Sequence, residues 1–313
     1  MEELNPVQRR ILEVLGAKKD ERPEFDEALA DRIQSHMEES LRDVAEALGE
    51  RGKIYVSKRD LAGVLACEAQ WLDDAERDFE WNAAVAKGTV VHKALELAVF
   101  GDDSLEHTDL VDKALERVAA SDQGLALWLD QIDPAELGEL KSAAVSLLSQ
   151  AEEILPPLRK EWRPVLESRV KAELNGGRIA LVGRVDLTLG RVEGRRAGKV
   201  VVDLKTGSEA EDHLHHLRFY ALLELLRMRV PPRMVATIYL ESASVRHEEV
   251  TEHTLQAAAE RVIRGVRRIF ELKNDTDADP VKRPGPSCGW CRLLGQCEEG
   301  TSYLAEARER QGW

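Results

Sequence analysis

The chain has 313 residues, 43% hydrophobic and 33% charged, with 44 Lys and Arg against 58 Asp and Glu, a formal net charge of −14. That length and apolar content suffice for one large domain, or one domain with a substantial insertion. The acidic balance argues against a protein that coats DNA through a basic surface, and the absence of any run of about 18 apolar residues leaves no membrane span to expect.

In chain order, residues 5–16 and 26–49 read as helices from their apolar spacing, with Gly16 and Gly49 as stops. The start, MEELNPVQRRILEVLG, lacks a signal-peptide apolar region, so a cytoplasmic location is expected. Ser57 followed three residues later by Asp60 predicts a helix N-cap. The helix it opens carries Leu61, Val64, Leu65, Glu68, Trp71 and Leu72 at helical spacing, with Cys67 in that helix beside its apolar stripe. Residues 83–99 predict a further helix, starting near Gly88, in which His92 and Glu96 share a face. Residues 103–160 are helical in pattern, with a break at Asp133-Pro134, and read as an insertion.

The pattern then changes to strands. VLESRVKAEL, the turn Asn175-Gly176-Gly177 and RIALVGRVDLTLG predict a hairpin. KVVVDLKTG predicts a short buried strand, residues 209–229 a helix, RMVATIYLES a strand, VRHEEV a shorter one, and residues 252–273 a long helix. The fold class expected is therefore α/β (α+β), a mixed central sheet flanked by helices, with a helical N-terminal region and a helical insertion.

Charge is uneven along this order. Residues 101–160 carry 5 basic and 13 acidic side chains, whereas residues 191–290 carry 17 basic and 15 acidic. The C-terminal half is the expected partner of a polyanion. Arg261, Arg264, Arg267 and Arg268 on one helix, and Arg191, Arg195, Arg196 and Lys199 in a turn, could meet phosphates, or each could be a solvated residue. No GxxxxGK[ST] loop is present, so no P-loop motor is encoded.

Two groups of residues carry chemistry. In KVVVDLKTG, Asp203 and Lys205 are two apart and face one side of a strand. Asp186 interrupts the apolar strand before it. Carboxylates on adjacent strands can hold a hard divalent cation such as Mg²⁺ or Mn²⁺, which can polarise a phosphodiester. A structural salt bridge is the plainer reading of Asp203 and Lys205 taken alone. The second group is CGWCRLLGQC, where Cys288, Cys291 and Cys297 lie within ten residues. Three thiols so close look like metal ligands that lack a fourth, and Cys67 is the one other cysteine in the chain. By spacing alone, a Cys₄ site suits zinc.

GTVVHKALE, LVGRVDL, VVDLKTG and HHLRFYALL, in that order, resemble the motifs of the PD-(D/E)XK nuclease superfamily in its RecB-type branch. Within it they are similar to the iron–sulfur members: the AddB nuclease domain, CRISPR adaptation nucleases and exonuclease V. Those members carry one early cysteine and a late C-x2-C-x5-C, the spacing found here. The resemblance runs from about residue 57 to 297. It implies a restriction-endonuclease-like fold, with residues 1–56 as an N-terminal helical region and 57–313 as the nuclease domain. Within that domain it implies an insertion at about 101–160, a catalytic core at about 162–273 and a cysteine tail at 288–297.

The resemblance also implies roles. His92, Asp186 and Asp203 would form the metal shell, and Lys205 would orient water and stabilise the charge on the phosphorane. Glu167 would be a supporting acid, and Tyr220 the tyrosine of the Q-x3-Y motif, with His216 standing where the family has Gln. Cys67, Cys288, Cys291 and Cys297 would hold a [4Fe–4S] cluster, with zinc as the alternative. The implied activity is Mg²⁺- or Mn²⁺-dependent hydrolysis of DNA, single-stranded ends in particular, in DNA repair or recombination. The alternatives are a non-catalytic DNA-binding scaffold or a nuclease subunit active only with a helicase partner. No membrane partner is expected.

Overall fold

The computed structural model describes residues 4–50, 52–100, 105–210 and 212–311. The first residues of the expected insertion, 101–104, lie outside these. In chain order the elements begin with helices α1 (Pro6–Leu15), α2 (Leu29–Ser40) and α3 (Arg42–Leu48), strand β1 (Ile54–Ser57), and helices α4 (Lys58–Ala66), α5 (Glu68–Ala75), α6 (Ala83–Phe100), α7 (His107–Ser121), α8 (Gln123–Gln131) and α9 (Pro134–Ile154). Then come strands β2 (Val165–Leu174), β3 (Ile179–Leu189) and β4 (Val200–Lys205), helix α10 (Asp212–Met228), strands β5 (Met234–Tyr239) and β6 (Ser244–Glu249), and helices α11 (Glu252–Asn274) and α12 (Glu298–Gln311).

The strands form one mixed sheet in the order β1-β3-β4-β5-β6, with β2 beside β3. β3 and β4 are antiparallel, Leu187 opposite Val202 and Leu189 opposite Val200. β4 and β5 are parallel, Asp203 beside Thr237 and Lys205 beside Tyr239, so the chain needs the crossover helix α10 between them. The expected mixed sheet flanked by helices is what the structure has.

By contacts, the chain divides into two compact units: residues 1–30, 79–170 and 184–255, and residues 31–78, 171–183 and 256–313. In the first, Val90, Val91 and Ala94 of α6, Leu147 and Leu148 of α9, and Val200, Val202 and Leu204 of β4 share one core. Alternation along β4 therefore turns Asp203 and Lys205 to the opposite side. Helix α1 starts on a capping box in which Asn5 and Gln8 bond each other's backbone, with Pro6 at the first turn. Its Ile11 and Leu15 join this core, a packing role for part of the N-terminal region.

Three helical expectations change. The single helix expected over 26–49 breaks at Leu41, where Arg267 takes the carbonyl of Ser40 and pairs with Asp43. The helix expected to start near Gly88 begins at Ala83, after Asn82 accepts the N–H of Val85. The helix opened by Ser57 does form its capping box with Asp60, but it stops at Ala66. Cys67 is extended (φ −152°, ψ 112°) between α4 and α5 rather than within a continuous helix. The cause is a long-range contact: the N–H of Glu68 donates to the carbonyl of Val281 at 3.1 Å, which removes it from the helical ladder. Among the described residues, no helix is long and apolar enough to cross a membrane.

Candidate active site

Four elements of the first unit bring the chemistry-bearing residues together. Helix α6 carries His92, β2 carries Glu167, β3 carries Asp186 and β4 carries Asp203 and Lys205. Gly88, one turn before His92, is where α6 passes Thr206: a Cβ there would lie 3.5 Å from the Thr206 hydroxyl. His92 Nδ1 is 3.1 Å from Glu167 Oε1 and 3.7 Å from Asp186 Oδ1. One ligand atom from each of His92, Glu167 and Asp186 lies within 4.8 Å of the other two.

Each acid is held from behind. Asp186 Oδ2 accepts the backbone N–H of Leu204 at 2.8 Å, which fixes the carboxylate between β3 and β4. Glu167 Oε2 is 2.6 Å from Arg184 Nε. Glu167 also has φ +52° inside a strand, a left-handed conformation that costs a non-glycine residue about 1–3 kcal/mol. That cost is tolerated where it aims a side chain. Asp203, 1% exposed, is 2.8 Å from Lys205 Nζ, so neither charge is buried alone.

Burial by itself would lower the His92 pKa. The hydrogen bond with Glu167 and the negative charges of Asp186, Glu167 and Asp203 outweigh burial, and the pKa is raised above the ordinary value. An imidazole among carboxylates is a mixed nitrogen–oxygen donor set, which suits Mn²⁺ and, through its oxygens, Mg²⁺.

The second unit holds the four cysteines. Cys67, Cys288, Cys291 and Cys297 line one cavity of about 200 Å³, and all four are free thiols. The N–H of Gly285 donates to Cys288 Sγ and that of Gly300 to Cys297 Sγ, each at 3.4 Å. Burial pushes the Cys291 thiol up, and the other three cysteines add to the effect. Glu68, adjacent to Cys67, anchors the tail: it accepts from Arg268 Nε and from the N–H of Val281, both at 2.8 Å, and Arg283 is 3.4 Å away.

The profile of the PD-(D/E)XK nuclease superfamily matches residues 55–298. The chain belongs to the PD-(D/E)XK nuclease superfamily. Its members are nucleases that usually use divalent cations, and the His92, Glu167 and Asp186 cluster offers such an ion a site. Among solved structures, it is similar to a candidate exonuclease from Eubacterium rectale, at 15% identity and TM-score 0.50, covering 77% of this chain and 87% of that one. This likeness is one of fold. The structure of SSO0001 is a weaker match, at 14% identity and TM-score 0.35, covering 84% of this chain and 93% of that one. No curated protein matches the sequence.

Tyr220, 2% exposed on α10, donates its hydroxyl to the carbonyl of Arg184, two residues before Asp186. This contact braces β3. The His216 ring lies 6.1 Å from the ring of His213, whose Nδ1 is 2.9 Å from the Tyr239 hydroxyl. Glu96 is engaged by Lys93 at 2.7 Å. Most of the basic residues considered for phosphates are taken by acids: Arg191 by Glu193, Arg195 and Arg196 by Glu24, Lys199 by Glu224, Arg267 by Asp43, and Arg268 by Glu68. Sequence reasoning missed Arg184 as the partner of Glu167. Its position two residues before Asp186, on the same side of β3, was the available signal.

Proposed function

We propose that the chain is a Mg²⁺- or Mn²⁺-dependent deoxyribonuclease of the RecB-type branch, acting as an exonuclease on single-stranded DNA in repair or recombination. The observation that carries this reading is the convergence of His92, Glu167 and Asp186 within 4.8 Å, with Asp203 and Lys205 on the neighbouring strand. His92, Asp186, Glu167 and Asp203 would hold the cation, which when bound supplies Lewis-acid polarisation of the phosphodiester. Lys205, kept in place by Asp203, presents its ammonium to the phosphate oxygens and to the attacking water. Transition-state charge then meets a fixed donor that needs no reorganisation. Tyr220, through the Arg184 carbonyl, keeps β3 and hence Asp186 in register.

In this reading residues 57–313 are the nuclease domain. Cys67, Cys288, Cys291 and Cys297 would hold a [4Fe–4S] cluster as a staple between an early segment and the tail. Four thiols on one cavity, two of them receiving backbone N–H donors, support that assignment. A bound zinc ion would use the same thiols, and iron and sulfide analysis of anaerobically purified protein separates the two.

The test is cleavage of end-labelled single-stranded and duplex DNA with Mg²⁺ or Mn²⁺, wild type against Asp203→Ala. The wild type degrades single-stranded DNA from its ends and the variant does not. Equal products from both proteins, or no cleavage while DNA is still bound, would overturn the hydrolase reading. Activity that returns only on adding a helicase would reassign the chain as a subunit.

A further inference from the structure

The first unit has a second concave site that the nuclease reading does not use. It is a cavity of about 390 Å³ at the far end of the β3–β4 pair. Leu189 and Val200, opposite each other in the sheet, border it. They stand three residues from Asp186 and Asp203 along their strands, roughly 10 Å away. This cavity is therefore separate from the carboxylate cluster.

Its walls carry the guanidinium groups of Arg22 and Arg233, close enough that the charge of one acts on the other. Arg233 is 8% exposed and donates to the carbonyl of Leu15, and among the described residues no carboxylate pairs with it. Arg22 enters the same cavity, and its Nε is buried without a hydrogen-bond partner. Burial, and then the positive charge of Arg22, hold Arg233 below the ordinary arginine range, against the weaker opposing pull of the Glu249 carboxylate, which makes no ion pair with it. Two partly desolvated like charges are unfavourable unless an anion lies between them.

The backbone around them is drawn tight. A Cβ on Gly190 would stand 2.2 Å from the Gly198 carbonyl oxygen, and one on Gly198 would stand 2.2 Å from that of Arg191 and 3.0 Å from Arg22 Nη1. The N–H of Gly190 donates to the carbonyl of Trp162 at 2.6 Å, which holds that residue on the cavity wall, with the Arg159 guanidinium 5.8 Å from the centre of its ring and the other ring face left for a ligand. Of the two acids on the wall, Glu193 is already taken by Lys19 at 2.9 Å and Arg191 at 3.1 Å, and Glu161 is exposed. A purely structural role accounts for Arg233, which holds Leu15. It does not account for Arg22.

We propose that this cavity binds a phosphate monoester, with Arg22 and Arg233 donating to its oxygens and Trp162 offering a ring face to the base of a nucleotide that carries it. Planar guanidinium forks match phosphate oxygens, and an aromatic face accepts any base. A free mononucleotide and the phosphorylated end of a strand share this chemistry. The proposal stands independently of the nuclease assignment.

The test is calorimetric titration of the full chain in EDTA with inorganic phosphate, dAMP, deoxyadenosine, and an oligonucleotide with or without a 5′-phosphate. Inorganic phosphate and dAMP bind and deoxyadenosine does not. dAMP binds at least about fivefold more tightly than phosphate through stacking. Arg22→Ala, checked for folding by circular dichroism, weakens both at least about tenfold. Tighter binding of the 5′-phosphorylated oligonucleotide than of dAMP assigns strand ends as the ligand, and the reverse order assigns free nucleotides. Should Arg22→Ala fail to fold, protection of Arg22 from phenylglyoxal by phosphate, mapped by mass spectrometry, replaces it. No binding to the wild type, undiminished binding to a folded Arg22→Ala, or unprotected Arg22 would each overturn the proposal.

Discussion

Asp186 and Asp203 stand on adjacent strands whose register places Leu187 opposite Val202, whereas Cys67 sits at a helix break and its three partners lie in a tail of short turns. The carboxylates are preorganised by a sheet: backbone pairing, the Leu204 N–H and the Tyr220 brace fix them before any ion arrives. The thiols have no such ladder. What gathers them without a ligand is the Glu68 hub, a nearly buried carboxylate receiving Arg268, Arg283 and the N–H of Val281. One site is built by topology and the other by a few ion pairs, so they should fail differently when disturbed.

The largest expected effect strikes the less regular site. Glu68→Ala leaves Arg268 to the Glu271 carboxylate at 2.7 Å, strips Arg283 and the Val281 N–H of their acceptor and releases the tail, which should cost about 3–5 kcal/mol in sum. Denaturant midpoints and faster labelling of Cys67 by a thiol reagent read this out. An unchanged midpoint would remove Glu68 as the organising group. Next, Lys205→Ala takes away the proposed charge stabiliser from the sheet-built site, and kcat should fall about 10²–10³-fold with little change in KM. A change in KM alone would mean that Lys205 serves binding only.

Smaller effects sharpen the contrast. Arg184→Ala removes the support of Glu167, and apparent affinity for Mn²⁺ should drop about 10–100-fold, as measured by activity against ion concentration. Unaltered affinity would place Glu167 outside the metal shell. The smallest effect is electrostatic and exposed. Lys171 at 2.6 Å and Lys53 at 2.8 Å lower the Glu173 carboxyl to about 2 from its ordinary 4.5. Because the folded value is the depressed one, its stabilisation is complete above pH 4.5 and fades as pH falls toward 2. Wild type and Glu173→Gln should therefore converge in stability over that window, with a gap at pH 7 that shrinks in salt.

The two sites also differ in how far the sequence exposes them. A period of two places Asp203 and Lys205 on one side of β4 and marks Asp186 as an intruder in an apolar strand, and both features survive in the structure. The mixed sheet and its crossover are equally legible, because Pro231-Pro232 and Asn175-Gly176-Gly177 punctuate the pattern. The break at Cys67 is not legible. Leu61, Val64, Leu65, Trp71 and Leu72 continue a helical stripe through it, and what stops the helix is Val281, far along the chain. The same holds for the arginines. Arg267 and Arg268 look like a basic helix face until Asp43 and Glu68 arrive from elsewhere. Strand β1 passes unnoticed because four residues between Gly52 and the Ser57 cap give alternation little room. The left-handed backbone of Glu167 has no signature in residue type at all.

The separation of Cys67 from Cys288 by 221 residues also has a temporal side. At about 5–20 residues per second of synthesis, Cys67 leaves the ribosome roughly 10–40 s before the first of its partners. For that interval the chain carries a thiol with nothing to share it, next to a Glu68 whose arginines and Val281 have not been made. The metal group proposed for the four thiols could therefore be inserted only after the last residues emerge, and an oxidant met during the wait would act on Cys67 before the other three cysteines exist.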